Sequence, residues 1–242
     1  MIPTPRLVYK LRQRLNKIVS NAHQDIPEED IILVLRESLI KLIKKKLGTD
    51  NIYRIGFDGF KKRYQDLQFL VENFEDHPIK LVKSDGQLNR YTVDISKIQP
   101  KFMFYVGSYV LGSKGQCKDK ILYANTDLIK HGDITTLISS PIYKPSFEWR
   151  EVLVDISTNE LGYYTDGTFD IDTVHLSYLR YPKEMDIAGY IDLEGKESKD
   201  VDCELDEYLE DELLDIAELS LAMSTNNVSS AQNAERRLQD NE

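Results

Sequence analysis

The hydrophobic period changes twice along this chain, and that change constrains the fold more than any single residue does. Up to about residue 76, and again from about residue 203, apolar residues recur at helical spacing. Between those limits they come in short β-branched and aromatic runs, broken by Gly, Pro, Asn and Asp. Residues 5–22 place Leu7, Val8, Leu11, Leu15, Ile18, Val19 and Ala22 on one arc, with Arg6, Lys10, Arg14 and Lys17 opposite. Thr4 is the expected N-cap of this helix, with Pro5 in its first turn. Residues 27–47 open on Glu28, Glu29 and Asp30 and close on Lys44, Lys45, Lys46 and Gly48, which matches the helix dipole at both ends. This helix carries a main stripe through Ile31, Ile32, Leu35, Leu39, Leu42 and Ile43, and a second through Leu33, Ile40 and Leu47.

A third helix is expected over 58–74, where Phe60, Tyr64, Leu67, Val71 and Phe74 share a face. Strands are expected at 79–83, 88–95, 101–111, 117–124, 148–156, 161–164 and 174–181, with a short helix at 133–138. A last amphipathic stretch, 205–223, has Leu205, Leu209, Leu213, Ile216, Leu219 and Met223 on its main face. A polar helix at 228–240 follows it. The expected class is therefore α+β: a bundle formed by the N- and C-terminal helices with a central β-rich insertion. Residues 1–76 and 203–242 would make the helical body. Residues 77–182 would be the insertion, and 183–202 a connecting loop.

Charge is unevenly placed. Residues 184–242 hold 18 acidic and 4 basic residues, a net −14, and the rest of the chain is left at +4. That asymmetry argues against a whole-protein nucleic-acid binder and can orient a subunit against a neighbour of opposite charge; a solvated acidic face is the plainer reading. On the 205–223 helix, Glu207, Asp211, Asp215 and Glu218 lie opposite the main apolar face. Leu214 and Leu221 flank that acidic arc and serve equally well as core or as contact with another subunit. Lys44–Lys46 and the cluster Lys61, Lys62 and Arg63 are cations that could contact phosphate; a solvated helix face or an intersubunit charge pairing is the plainer role.

No catalytic signature stands out. The four histidines form no HExxH and pair with no cysteine at zinc-ligand spacing, and Cys117 and Cys203 carry no CxxC. Gly107, Gly112 and Gly115 fit neither GxGxxG nor a P-loop. The stretch from Asp166 to Asp172 lacks the ligand order of a calcium loop and reads as a hairpin turn. No GxSxG elbow occurs. Neither an apolar run long enough to span a membrane nor the apolar block of a signal peptide is present. The reading is a non-enzyme with no cofactor and no metal.

Two segments carry a resemblance. One is Leu-Ile-Lys-His-Gly-Asp-Ile-Thr-Thr-Leu-Ile-Ser-Ser-Pro-Ile-Tyr-Lys-Pro-Ser at 128–146. The other runs from Leu-Ser-Tyr-Leu-Arg-Tyr-Pro-Lys at 176–183 through a loop into the acidic helix ending at Leu219. With the opening helices, these resemble the tail ring (head-to-tail connector) proteins of crAss-like short-tailed bacteriophages. The resemblance implies a virion tail protein, assembled in the host cytoplasm. It implies a homo-oligomeric ring of about twelve copies around the DNA exit channel. The implied partners are adjacent ring, portal or tail proteins, and DNA that passes without sequence-specific binding. Leu214, Leu221, Glu207, Asp211, Asp215, Glu218, Lys61, Lys62 and Arg63 are the candidate subunit interface. The alternative is a phage adaptor or regulator that stays outside the virion.

Overall fold

The structure is a computed structural model and describes residues 1–18, 26–48, 65–74, 82–83, 89–114, 122–191, 195, 197–224 and 228–240. The chain divides into two compact units, Met1–Phe69 with Pro182–Glu242, and Leu70–Tyr181.

The first unit holds α1 (Thr4–Ile18), α2 (Glu28–Leu47), and, from the far end of the chain, α4 (Glu210–Ser224) and α5 (Val228–Asp240). In α2 the main stripe from Ile31 to Ile43 is buried as its spacing predicts, whereas Leu33 of the second stripe is exposed. Gly48 ends the helix by donating its N–H to Lys44 O. The start of α1 differs from expectation. Thr4 is the first helical residue, and its hydroxyl donates to Val201 O at 2.7 Å, so it caps nothing. The carboxylate of Asp202 accepts the Thr4 N–H instead. Beside it, Ile2 and Cys203 form an antiparallel bridge through two 2.9 Å hydrogen bonds. A residue 198 positions away thus satisfies a donor that the local sequence leaves open.

The second unit is organised by one eight-stranded sheet in the order β1-β8-β4-β5-β6-β7-β3-β2. Its strands are β1 (Val71–Phe74), β2 (Val82–Lys83), β3 (Asn89–Asp94), β4 (Phe102–Ser113), β5 (Leu122–Leu128), β6 (Glu151–Ile156), β7 (Glu160–Thr165) and β8 (Asp170–Arg180). All neighbours run antiparallel except β5 and β6. Residue Asn125 is the corner: β5 pairs with β4 up to it and with β6 from it onward. The crossover between the parallel pair contains α3 (Ile134–Ser139).

Strand β6 is buried on both faces. Val152 and Val154 join Leu161, Tyr163, Val174, Leu176 and Tyr178 in the main core, and Leu153 joins Tyr164 and Ile134 in a smaller core under α3. The hydroxyls inside the main core satisfy one another. Tyr105 and Thr126 meet at 2.9 Å, Thr126 and Ser108 at 2.7 Å, and the buried Tyr163 donates to Ser108 at 3.3 Å.

The expected bundle with a β-rich insertion is overturned. The segment taken as a third helix ends in β1, whose four residues pair with Leu176–Leu179 of β8. A helical reading of Val71 and Phe74 fails because a strand partner more than 100 residues away decides their conformation. Nor do α1 and α2 form a bundle of their own, since each packs chiefly on α4. The chain is a mixed α+β protein in which the sheet is the larger organised element.

Gly162 shows how tightly the sheet is built. It faces Asp155 across the β6–β7 pair, and a methyl group there would lie 2.1 Å from Asp155 Oδ1 and 2.7 Å from Arg90 Nε. Gly162→Ala should cost about 2 kcal/mol; urea denaturation against the parent chain measures it, and an unchanged midpoint contradicts it.

Candidate functional site

The acidic helix was the expected interface, and the structure assigns its residues differently. Leu214 is 0% and Leu221 6% exposed, so both belong to the core of their own unit and offer no surface to a neighbour. Asp215 and Glu218 are equally buried. Arg14 reaches Asp215 at 2.6 Å, and Arg237 from α5 reaches Asp215 at 2.9 Å and Glu218 at 2.5 Å. Glu207 and Asp211 are exposed but already paired, with Arg6 at 3.5 Å and Arg14 at 2.7 Å. Glu210 accepts from both Arg6 and Lys10 at 2.7 Å. On the α2 side, Lys46 lies 2.7 Å from Glu212 and 3.1 Å from Asp66, and Tyr208 donates to Asp66 at 2.7 Å. The basic face of α1 and the acidic arc of α4, both visible in sequence, are partners within one chain. Lys61, Lys62 and Arg63 lie outside the described residues.

Burial pushes the carboxyls of Asp215 and Glu218 upward, against the pull of Arg14 and Arg237. A carboxyl whose folded value is raised contributes stability that is fully present below its unfolded value, about 4. That contribution is lost as the pH rises through the folded value. The double variant Asp215→Asn, Glu218→Gln should therefore gain stability relative to the parent between mildly acidic and neutral pH. Urea unfolding across that range tests the slope; the opposite trend contradicts it.

A second polar cluster lies beside α3. Asp155 is fully buried, and its Oδ2 lies 2.7 Å from Nδ1 of the exposed His131. The Ser157 hydroxyl approaches the same oxygen at 3.4 Å, and Arg90 lies 3.8 Å from Oδ1. The dyad pins the turn that begins α3 to the sheet. Ser157 bonds the carboxylate, not the imidazole, so the three do not form the relay that activates a serine nucleophile. Among the described residues no group of three or more His, Cys, Asp or Glu could hold a metal ion, and no helix is long and apolar enough to cross a membrane.

The surface that stands out is the stretch from Ser140 to Arg150, between α3 and β6. Ile142, Tyr143 and Trp149 are 79%, 65% and 78% exposed. Local bonds hold the backbone under them. Ser140 Oγ accepts the N–H of Ile142 and of Tyr143, and Ser146 Oγ accepts that of Glu148. Ser146 and Glu151 exchange both backbone bonds, at 3.3 and 3.1 Å. Arg150 takes a left-handed conformation, φ 58°, that lets its carbonyl accept from Asn125 at the sheet corner. Phe147 turns inward onto Phe169, with ring centroids 5.6 Å apart, and Lys114 lies over its ring. A concavity of about 280 Å³ results, walled by Ile142, Phe147 and Trp149 and rimmed by Lys114, Lys144 and Glu148. A strand was expected from residue 148, which would have paired Trp149 into the sheet; β6 begins only at Glu151. The prolines at 141 and 145 were the available signal that this stretch is loop.

No known family matches the chain, and no curated protein matches it.

Proposed function

We propose that this chain is a non-enzymatic structural subunit of a short-tailed phage virion, a ring protein of the tail or head-to-tail connector that works by binding its neighbours. One observation carries the reading. The Ser-Pro-Ile-Tyr-Lys-Pro-Ser motif at 140–146, part of the resemblance to tail ring proteins, is the motif whose large apolar side chains are held out to solvent. Exposed Ile142 and Trp149 at one concavity, with exposed Tyr143 next to Ile142 in the chain, are what a protein-binding surface presents. Rigid local bonding lowers the cost of ordering that surface on contact. In this reading the contact surface is the 140–150 stretch, not the acidic helix, whose charges are met inside the chain. The ring of about twelve copies, the adjoining portal or tail proteins, and the DNA passing through the channel belong to the same proposal.

Mass spectrometry of purified virions tests it: the chain should be present at a stoichiometry matching other tail components, and its absence from particles sinks the reading in favour of an adaptor or regulator outside the virion. A second measurement locates the surface. Ile142→Ser with Trp149→Ser should leave folding stability within about 0.5 kcal/mol of the parent, as for other exposed positions. The same variant should enter particles poorly when it replaces the parent chain. Normal incorporation removes this surface from the assembly.

A further inference from the structure

We infer that the His131–Asp155 pair is a pH-sensitive latch: a proton gained by the imidazole tightens its hold on the start of α3, and with it the placement of the 140–150 stretch. The latch stands on geometry within the sheet unit. Its consequence for assembly rests on the proposed function, whose contact surface it regulates.

The crossover from β5 to β6 is held at its two ends by different chemistry. At the far end the bonds are all backbone: Ser146 and Glu151 exchange two, and Arg150 O accepts the Asn125 N–H. No proton gained or lost near neutrality alters them. At the near end Asp133 N–H donates to Lys130 O at 2.9 Å, which closes the turn, and His131 Nδ1 lies 2.7 Å from Asp155 Oδ2, which ties that turn to the sheet. The six residues of α3 then bury Ile134 and half-bury Leu137 and Ile138 against Leu153 and Tyr164. A helix this short does not hold itself, so the tie at its start matters.

The partners of the tie differ in their access to water. Asp155 is 0% exposed, whereas the His131 side chain is 73% exposed and trades protons freely with solvent. The other groups around the carboxylate keep their charge. Arg90 from β3 stands 3.8 Å from Oδ1 and 3.9 Å from Glu160 of β7. Ser157, at 3.4 Å, is neutral. The phenol of Tyr164 from β7 is pushed up by burial first and then by the charge of Asp155, so it stays protonated. On the turn itself Lys130 and Asp133 flank His131 with opposite signs. Histidine is the side chain whose charge ordinarily changes between about pH 5 and about pH 8. A neutral imidazole offers Asp155 one N–H; an imidazolium offers the same bond and a positive charge beside a carboxylate that water does not reach. The hold is therefore strongest where the imidazole is charged and weakens as the pH rises and the proton leaves. By reciprocity, a neighbour that needs the surface in place favours the protonated latch.

Hydrogen exchange on the full chain, with intrinsic rates divided out, tests this on the amides of residues 133–143 from about pH 5 to about pH 8. In the parent, their protection should fall by about threefold or more across that range. His131→Asn keeps a donor near the Nδ1 position and cannot take a charge, so its protection should not vary with pH. His131→Ala should lose protection at every pH, with the amides of β7 as the control for global folding. Parent protection that is independent of pH overturns the inference, as does a His131→Asn chain that follows the parent's pH dependence. A His131→Ala chain protected as well as the parent overturns it too. None of these readings involves particles, so virion composition decides the proposed function separately.

Discussion

Helix α4 buries four carboxylates, Glu210, Glu212, Asp215 and Glu218, among leucines, and the helices around it are arranged to answer them. Removing an ionised carboxylate from water costs several kcal/mol unless a cation follows it in. Three elements supply those cations: Arg6, Lys10 and Arg14 from α1, Lys46 from α2, and Arg237 from α5. The acidic arc of α4 is answered along its length: Glu210 by α1, Glu212 by α2, Asp215 by α1 and α5, and Glu218 by α5. Hydrophobic burial supplies the bulk of the attraction, and these pairs offset the charge that burial encloses.

This explains which parts of the fold were legible. The 3.6-residue stripes of α1, α2 and α4 mark buried faces, and Leu7, Leu11, Leu35, Leu42, Leu213 and Ile216 lie inside as the period demands. The aromatic, β-branched run that became β4 was equally plain, because its residues suit a pleated surface wherever their partners lie. What could not be read was pairing at a distance. Val71–Phe74 has the composition of a helix end and becomes an edge strand because β8 offers it a ladder. The second apolar stripe of α4 was ambiguous for the same reason. Leu214 beside an acidic arc is an interface if the acids face water, and core if arginines from α1 cover them. Only the tertiary pairing distinguishes these cases. Part of the −14 of the last residues is addressed to the first helix: Glu207, Glu210, Asp211 and Asp215 pair with Arg6, Lys10 and Arg14.

The candidate surface is masked in the sequence for the opposite reason. Trp149 and Arg150 look like the start of a strand, yet the left-handed Arg150 and the hydroxyl-bonded turn before it keep them out of the ladder. An exposed tryptophan held by local bonds costs little conformational entropy on contact, which distinguishes it from an apolar residue stranded on a floppy loop. The His131–Asp155 dyad serves that surface indirectly. By fixing the turn before α3 it sets where the chain emerges at Ser140.

The bridge between Ile2 and Cys203, with Asp202 receiving the first turn of α1, bears on the order in which the molecule is made. Residues 70–181 are contiguous, and every ladder of their sheet can close once Tyr181 has left the ribosome. The first helix has no such freedom. Its capping group and its cationic face wait for partners synthesised roughly two hundred residues later. During translation the middle of the chain is therefore the first part able to fold, while the N-terminal helices remain open to chaperones. The first helix is made before the sheet and settles after it.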